Sequence, residues 1–166
     1  MLDAFIGLTC NLEDRLNELR RAVEKMAELG RVRARSAVYE TVAASAAARP
    51  FLNAALWLET ALSPQELSSH LRTVEALAQK LKDAAPTVVE KPLALDVLLL
   101  GKSGDVVLVD GDLTVPHPRL HQRAFALRPL LDLAPALVHP ALSLPLRVLY
   151  RLLLAESTQP RPAGWL

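Results

Sequence analysis

Residues 93–100, Leu-Ala-Leu-Asp-Val-Leu-Leu-Leu, line up apolar side chains around a single carboxylate, Asp96. A run this short cannot cross a bilayer as a helix, which takes ~20 residues. Pro92 ahead of it and Gly101 behind it punctuate it as a strand. Apolar residues at both odd and even positions mean that neither face meets water, so the run predicts a central strand covered on both faces.

The remaining pattern supplies what such a strand needs. Ala4–Leu8 reads as a short buried strand. Asn11 is placed to cap a following helix, with Asp14 near its positive end, and Leu16, Leu19, Val23 and Met26 recur at helical spacing up to Gly30. Val32, Ala34, Ser36 and Val38 then alternate with Arg31, Arg33, Arg35 and Ala37, the period of a strand with one wet face. That arginine row fits a solvated sheet face or a ligand-binding surface. An alanine-rich loop, 43–50, precedes a second strand, Phe51–Thr60. Ser63, Pro64 and Glu66 combine cap, first-turn proline and capping-box acid at the start of a helix carrying Leu67, Leu71, Val74 and Leu81. Asp83–Lys91 reads as a mobile loop, Gly101–Asp105 as a turn, Val106–Val109 as the strand paired after it, and Leu146–Ala155 as a C-terminal helix. The order through Leu100 is β-α-β-β-α-β, which predicts an α/β (α+β) ferredoxin-like core, with an added hairpin and C-terminal helices and two helices on one face of an antiparallel-rich sheet. No repeat or composition break divides it, so residues 1–166 are expected to form a single domain.

Composition narrows the classes of function. Of the residues 51% are hydrophobic and only 4% aromatic, so the core is aliphatic and the chain is not disordered. The formal net charge of +1, from 19 basic and 18 acidic residues, offers no general attraction to nucleic acid or to a membrane surface. The start lacks a basic segment before its apolar residues and carries Asp3, unlike a signal peptide. The lone Cys10 makes no intrachain disulfide, and the chain is expected to be cytoplasmic.

Asp96 is the first candidate for chemistry. A carboxylate inside an apolar strand is costly unless paired, hydrogen-bonded or metal-bound, although a position capping a loop at the sheet edge also satisfies it. Val115–Arg123, with His117, Arg119, His121 and Arg123, is the densest polar cluster and suits phosphate or carboxylate binding, or else a polar surface loop. Asn53 beside Phe51 reads as an edge or bulge residue or as a ligand contact. Lys80, Lys82 and Lys91 bracket the 83–91 loop and either reach phosphates as point charges or stay solvated. No glycine-rich phosphate loop, zinc spacing or nucleophilic triad is present.

Five ordered segments carry a family resemblance: Ile6–Leu12 (IGLTCNL), Val38–Thr41 (VYET) with Phe51–Thr60 (FLNAALWLET), Leu93–Gly101 (LALDVLLLG), Val115–Phe125 (VPHPRLHQRAF) and Leu130–Leu137 (LLDLAPAL). Together they resemble the 6-hydroxymethyl-7,8-dihydropterin pyrophosphokinases of folate biosynthesis, nearly end to end. The resemblance implies transfer of diphosphate from ATP to the pterin hydroxymethyl group, with release of AMP and with Mg2+ as cofactor. It implies small-molecule substrates, no nucleic-acid or membrane partner, and a monomer or weak homodimer. Residue by residue, it implies that Phe51 and Phe125 sandwich the pterin, Asn53 hydrogen-bonds its edge and Thr41 lines the pocket. It further implies that Glu75, His117 and Arg123 meet nucleotide and phosphate, that Asp96 binds metal, and that Lys80, Lys82 and Lys91 serve the phosphate-facing loop.

The chain departs from the family pattern at Thr9-Cys10, in the alanine-rich run 42–48, in the lysine-bearing loop, and at Ala94, where the family has the first of two metal-binding aspartates. The competing reading is therefore a catalytically weak or inactive relative that binds a pterin or nucleotide, or serves as a protein-interaction module. Ala94 is the residue that separates the two.

Overall fold

The structure, a computed structural model, describes residues 1–41, 49–82, 92–155 and 160–166, with side chains in the second segment described as far as Lys80. The elements run β1 (Leu2–Cys10), α1 (Arg15–Ala27), β2 (Arg31–Arg35), β3 (Ala37–Thr41), β4 (Phe51–Thr60), α2 (Pro64–Lys82) and β5 (Leu93–Leu100). There follow β6 (Leu108–Asp110), β7 (Leu113–Val115), a 3-10 turn (Leu120–Gln122), α3 (Ala124–Leu133), β8 (Val138–His139), β9 (Leu144–Pro145), α4 (Leu146–Leu154) and β10 (Arg161–Trp165). The main sheet is antiparallel in the order β10-β3-β4-β1-β5, with β2 also paired to β4. Its β3-β4-β1-β5 part is the ferredoxin-like order expected from the β-α-β-β-α-β succession.

Strand periodicity divides the core into two layers. On one face Ile6, Leu8, Leu56, Leu58, Leu95 and Val97 meet Leu19, Val23 and Met26 of α1 and Leu67 and Leu71 of α2. On the other, Phe5, Ala55, Leu98 and Leu99 meet Leu120, Leu127 and Leu130, and α4 adds Leu146 and Leu149. Fully burying a side chain such as Leu56 contributes ~1.5–3 kcal/mol, and these two layers hold the sheet rigid between helices.

Several expectations are corrected. The apolar run is not a central strand: β5 lies at the end of the sheet. It tolerates that position because its outer edge is satisfied elsewhere. The Leu95 N–H donates to Glu75 Oε1 at 2.7 Å, and the Leu98 carbonyl accepts from the His117 N–H at 3.0 Å. Strand β6 pairs with β7 and not with β5. Asn11 does not cap α1; Asp14 holds the cap position, and its carboxylate accepts from Asn17 at 2.7 Å. The helix ends at Ala27, before Gly30, whose bare Cα is needed for a close approach: a Cβ there would lie 2.3 Å from the Glu59 carbonyl oxygen.

The expected strand through Val38 breaks at Ser36. This buried hydroxyl donates to the Ala37 carbonyl and accepts from the Ala55 N–H, standing in for a ladder bond. The arginine row of β2 is exposed, and Arg33 pairs with Glu59 at 3.2 Å. The predicted start of α2 holds: the Ser63 N–H donates to Glu66 Oε2 at 2.8 Å while the Glu66 N–H donates to Ser63 Oγ. The alanine-rich run 42–48 and the expected loop 83–91 lie outside the described residues. Among the described residues no helix is long and apolar enough to cross a membrane.

Candidate functional site

The sheet face that meets α3 carries a polar row at one end. Register places Thr9 opposite Asn53 on one side and Ala94 on the other, Tyr39 opposite Asn53, and Gly7 opposite Asp96. Alternation along each strand therefore puts Ala94, Asp96, Thr9, Asn53 and Tyr39 on one surface, with Phe51 and Thr41 opposite each other beside them.

Asn53 is neither an edge nor a bulge residue. It sits 1% exposed in β4, which pairs on both sides in regular register with β1 and β3. Its Oδ1 accepts from the Thr9 hydroxyl at 3.1 Å, and Nδ2 donates to the Tyr39 carbonyl at 3.3 Å and to Thr41 Oγ1 at 3.2 Å. A carbonyl can only accept, so the Tyr39 contact fixes which end of the amide is nitrogen. Among the described residues, one lone pair of Oδ1 is left without a protein donor.

Asp96, half-buried, accepts from Arg123 at 3.2 Å. The guanidinium carbon of Arg123 lies 5.6 Å from the centre of the Phe125 ring, a cation–π distance. Between Gly7, Thr9, Asp96, Arg123 and Phe125 a space of about 10 Å3 remains.

The outer side of β5 opens into a cleft of about 380 Å3. Ser68, Arg72 and Glu75 of α2 form one wall, Asp96 the floor, and Asp112, Thr114, His117 and Arg119 the other wall. Glu75 spends one carboxylate oxygen on the β5 edge. Arg72 and Arg119 make no ion pair among the described residues, and they share the cleft with the carboxylates of Glu75, Asp96 and Asp112.

The His117 Nδ1 accepts from the Arg119 N–H at 3.1 Å, which leaves the ring proton of the neutral form on Nε2. Burial pushes the imidazole below its ordinary value, Asp96 pulls it up, and Arg123 and Arg119 push it down. The net direction is downward, which favours the neutral ring with its Nε2–H as donor. Burial also raises the Cys10 thiol to about 11, so it is no nucleophile.

The structure therefore brings together Asp96, Arg123 and Phe125; Glu75, Asp96 and His117 around the cleft; and Asn53 with Thr41. Phe51 lies on the same face, two residues from Asn53. Lys80 is exposed near the end of α2 and does not line the cleft. The Lys82 side chain and Lys91 lie outside the described residues.

Sequence reasoning passed over Thr9 as a partner for Asn53, and it passed over Arg72. Arg72 stands three residues before Glu75 on the flank of the apolar stripe, and that spacing was the available signal.

Magnesium, implied at Asp96 by the resemblance, meets a poor donor set. Position 94, on the same face two residues earlier, carries only a methyl group. Asp96 faces a guanidinium, and among the described residues no three Asp, Glu, His or Cys side chains converge on a point. A resident magnesium ion normally needs several hard oxygen ligands, so these residues do not fit a protein-held site for it.

The solved structures define the class first. The chain has the α+β fold of the Plasmodium falciparum HPPK-DHPS structures: it superimposes on the wild type with SDX-DHP with a TM-score of 0.68 at 14% identity, covering 93% of this chain and 44% of that one. The A437G form with SDX-DHP gives 0.72 at 13% identity, covering 93% and 46%.

Sequence defines the family. Residues 5–135 match the description 7,8-dihydro-6-hydroxymethylpterin-pyrophosphokinase (HPPK), and the chain belongs to that family. It is 34% identical over 151 residues to the 2-amino-4-hydroxy-6-hydroxymethyldihydropteridine pyrophosphokinase of Aquifex aeolicus, covering 89% of each chain. It is 38% identical over 133 residues to the mitochondrial folate synthesis bifunctional protein of Arabidopsis thaliana, covering 79% of this chain. To the folic acid synthesis protein fol1 of Pneumocystis carinii it is 33% identical over 144 residues, covering 84% of this chain. It spans only 23% of the Arabidopsis protein and 18% of the Pneumocystis protein.

Proposed function

We propose that this chain transfers diphosphate from ATP to 6-hydroxymethyl-7,8-dihydropterin, with residues 1–166 acting as one domain. The observation that carries this reading is the cleft that gathers Glu75, Asp96 and His117 with Arg72 and Arg119, Asp96 also bordering the smaller space shared by Thr9, Arg123 and Phe125. The guanidiniums of Arg72, Arg119 and Arg123 and the Nε2–H of His117 take the phosphate oxygens. ATP arrives as its magnesium complex, the ion being part of the co-substrate.

On the pterin side, the spare lone pair of Asn53 Oδ1 accepts from an N–H on the ring edge, Thr41 holds that amide in place, and Phe51 and Phe125 supply the flat apolar faces. A bicyclic ring needs far more than the about 10 Å3 beside Phe125. The stacked Arg123–Phe125 pair therefore swings outward as substrate enters.

The pterin hydroxyl oxygen attacks the β-phosphorus. The new O–P bond forms as the bond from that phosphorus to the α–β bridging oxygen breaks, AMP departs with those electrons, and the hydroxyl proton passes to water. No strong base is needed, because positioning and charge neutralisation carry most of such a transfer. Lys80, and Lys82 and Lys91 beyond it, act as point charges toward ATP. The protein works in the cytoplasm as a monomer or weak homodimer, with no nucleic-acid or membrane partner.

The test is pterin-dependent AMP release from ATP and magnesium. The Asp96→Asn protein, which frees Arg123, should lose at least tenfold in rate. Folded protein that binds pterin yet releases no AMP above background would replace this reading with that of a binding protein.

A further inference from the structure

Asp96 lines the cleft between its two walls, and its cationic partner among the described residues is Arg123 at 3.2 Å. The position that would give it a second hard oxygen neighbour on the same face is Ala94. Thr9, opposite Ala94 in register, turns its hydroxyl to Asn53. Glu75 is committed to the Leu95 N–H. Of the carboxylates lining the cleft, Asp96 is paired, Glu75 gives one oxygen to the β5 edge and Asp112 stands on the opposite wall, while Arg72 and Arg119 make no ion pair among the described residues. A guanidinium delivers positive charge and a planar donor fork to phosphate oxygens without needing a ligand cage, which a magnesium ion requires.

We propose that in this chain Arg123, held by Asp96, stands in place of a resident metal ion. The polyphosphate is gripped by protein cations, and a free divalent ion adds nothing to its binding. This rests on the reading that the cleft takes the phosphates of ATP. Asp96 is then a positioning residue whose carboxylate sets the angle of the guanidinium. Ala94 is the substitution that makes room for that arrangement, because a carboxylate at 94 would compete for Arg123 and restore a pair of oxygens two residues apart on one face.

The experiment is calorimetric titration of the whole chain with ATP, once in magnesium and once in EDTA, for the wild type, Ala94→Asp, Asp96→Asn and Arg123→Met. The expected wild-type Kd is no tighter in magnesium than in EDTA. Arg123→Met should weaken binding in EDTA at least tenfold. Ala94→Asp should acquire at least tenfold tightening by magnesium, together with a bound Mn2+ signal in electron paramagnetic resonance that the wild type lacks. Ala94→Asp keeps the proposal testable should Arg123→Met fail to fold. Wild-type binding that tightens tenfold or more with magnesium, and loses that gain in Asp96→Asn, overturns the proposal and leaves the transfer reading standing. No ATP binding in either buffer overturns both.

Discussion

Replacing Asn53 by alanine is the perturbation whose effect can be worked most directly from the structure. The side chain is 1% exposed and makes three hydrogen bonds, to Thr9, Tyr39 and Thr41. Each intramolecular bond contributes ~0.5–1.5 kcal/mol net, and stranding a buried partner costs ~1–3 kcal/mol. The Thr9 and Thr41 hydroxyls are only half-buried and can turn to water, whereas the Tyr39 carbonyl loses its Asn53 donor between two paired strands. The stranded carbonyl and the two lost hydroxyl bonds together come to roughly 2–6 kcal/mol, which for a chain of this length lowers Tm by roughly 4–24 °C. Urea unfolding followed by circular dichroism measures the loss, and pterin binding by fluorescence, measured below the new midpoint, should fall at least tenfold in the same protein. Asn53→Asp should be at least as damaging, because it sets a carboxylate oxygen against the Tyr39 carbonyl. A stability change under about 0.5 kcal/mol in Asn53→Ala, with pterin affinity unchanged, would refute the claim that this amide is both a structural clamp and the ring-edge contact.

Two further predictions concern the frame of the site. Gly30→Ala forces a Cβ to within 2.3 Å of the Glu59 carbonyl oxygen, so thermal unfolding should register a loss of about 1–3 kcal/mol. His139 is buried, its Nδ1 accepts from the Leu142 N–H at 3.3 Å, and burial and then His121 push its imidazole below the ordinary value. The unfolded chain therefore binds the proton more readily, so the contribution of His139 is present above about pH 6.5 and is lost as pH falls from there through the lower value of the folded protein. Denaturation between pH 7 and 5 should show a shallower loss in His139→Asn than in the wild type, with a residual slope of the same sign from His117.

Local signals in the chain read out well. The strand Phe51–Thr60 and the Ser63-Pro64-Glu66 helix start appear as the residues alone suggest, because alternation and capping are settled by near neighbours. The edge position of β5 could not be read, since its cover comes from Glu75 and His117, distant in sequence. Helix α3 was hidden because Pro129 lies inside it, a residue that ordinarily argues against helix. Strand β10, Arg-Pro-Ala-Gly-Trp, has no alternation and becomes a strand only by docking on β3. At the site, Asp96 and the His117–Arg123 segment stood out because polar groups in apolar or proline-rich settings are conspicuous. Thr9 and Arg72 did not, because a threonine in a strand and an arginine on a helix are ordinary until register and helix phase bring them to Asn53 and to the cleft.

Transfer by this member of the pyrophosphokinase family is expected to survive Ala94. Its most direct test is to incubate the purified chain with ATP, magnesium and 6-hydroxymethyl-7,8-dihydropterin, then quantify AMP and the pterin diphosphate ester in one chromatogram. Both are expected to accumulate one to one and only when the pterin is present. Bound pterin with AMP no higher than in protein-free buffer would contradict it.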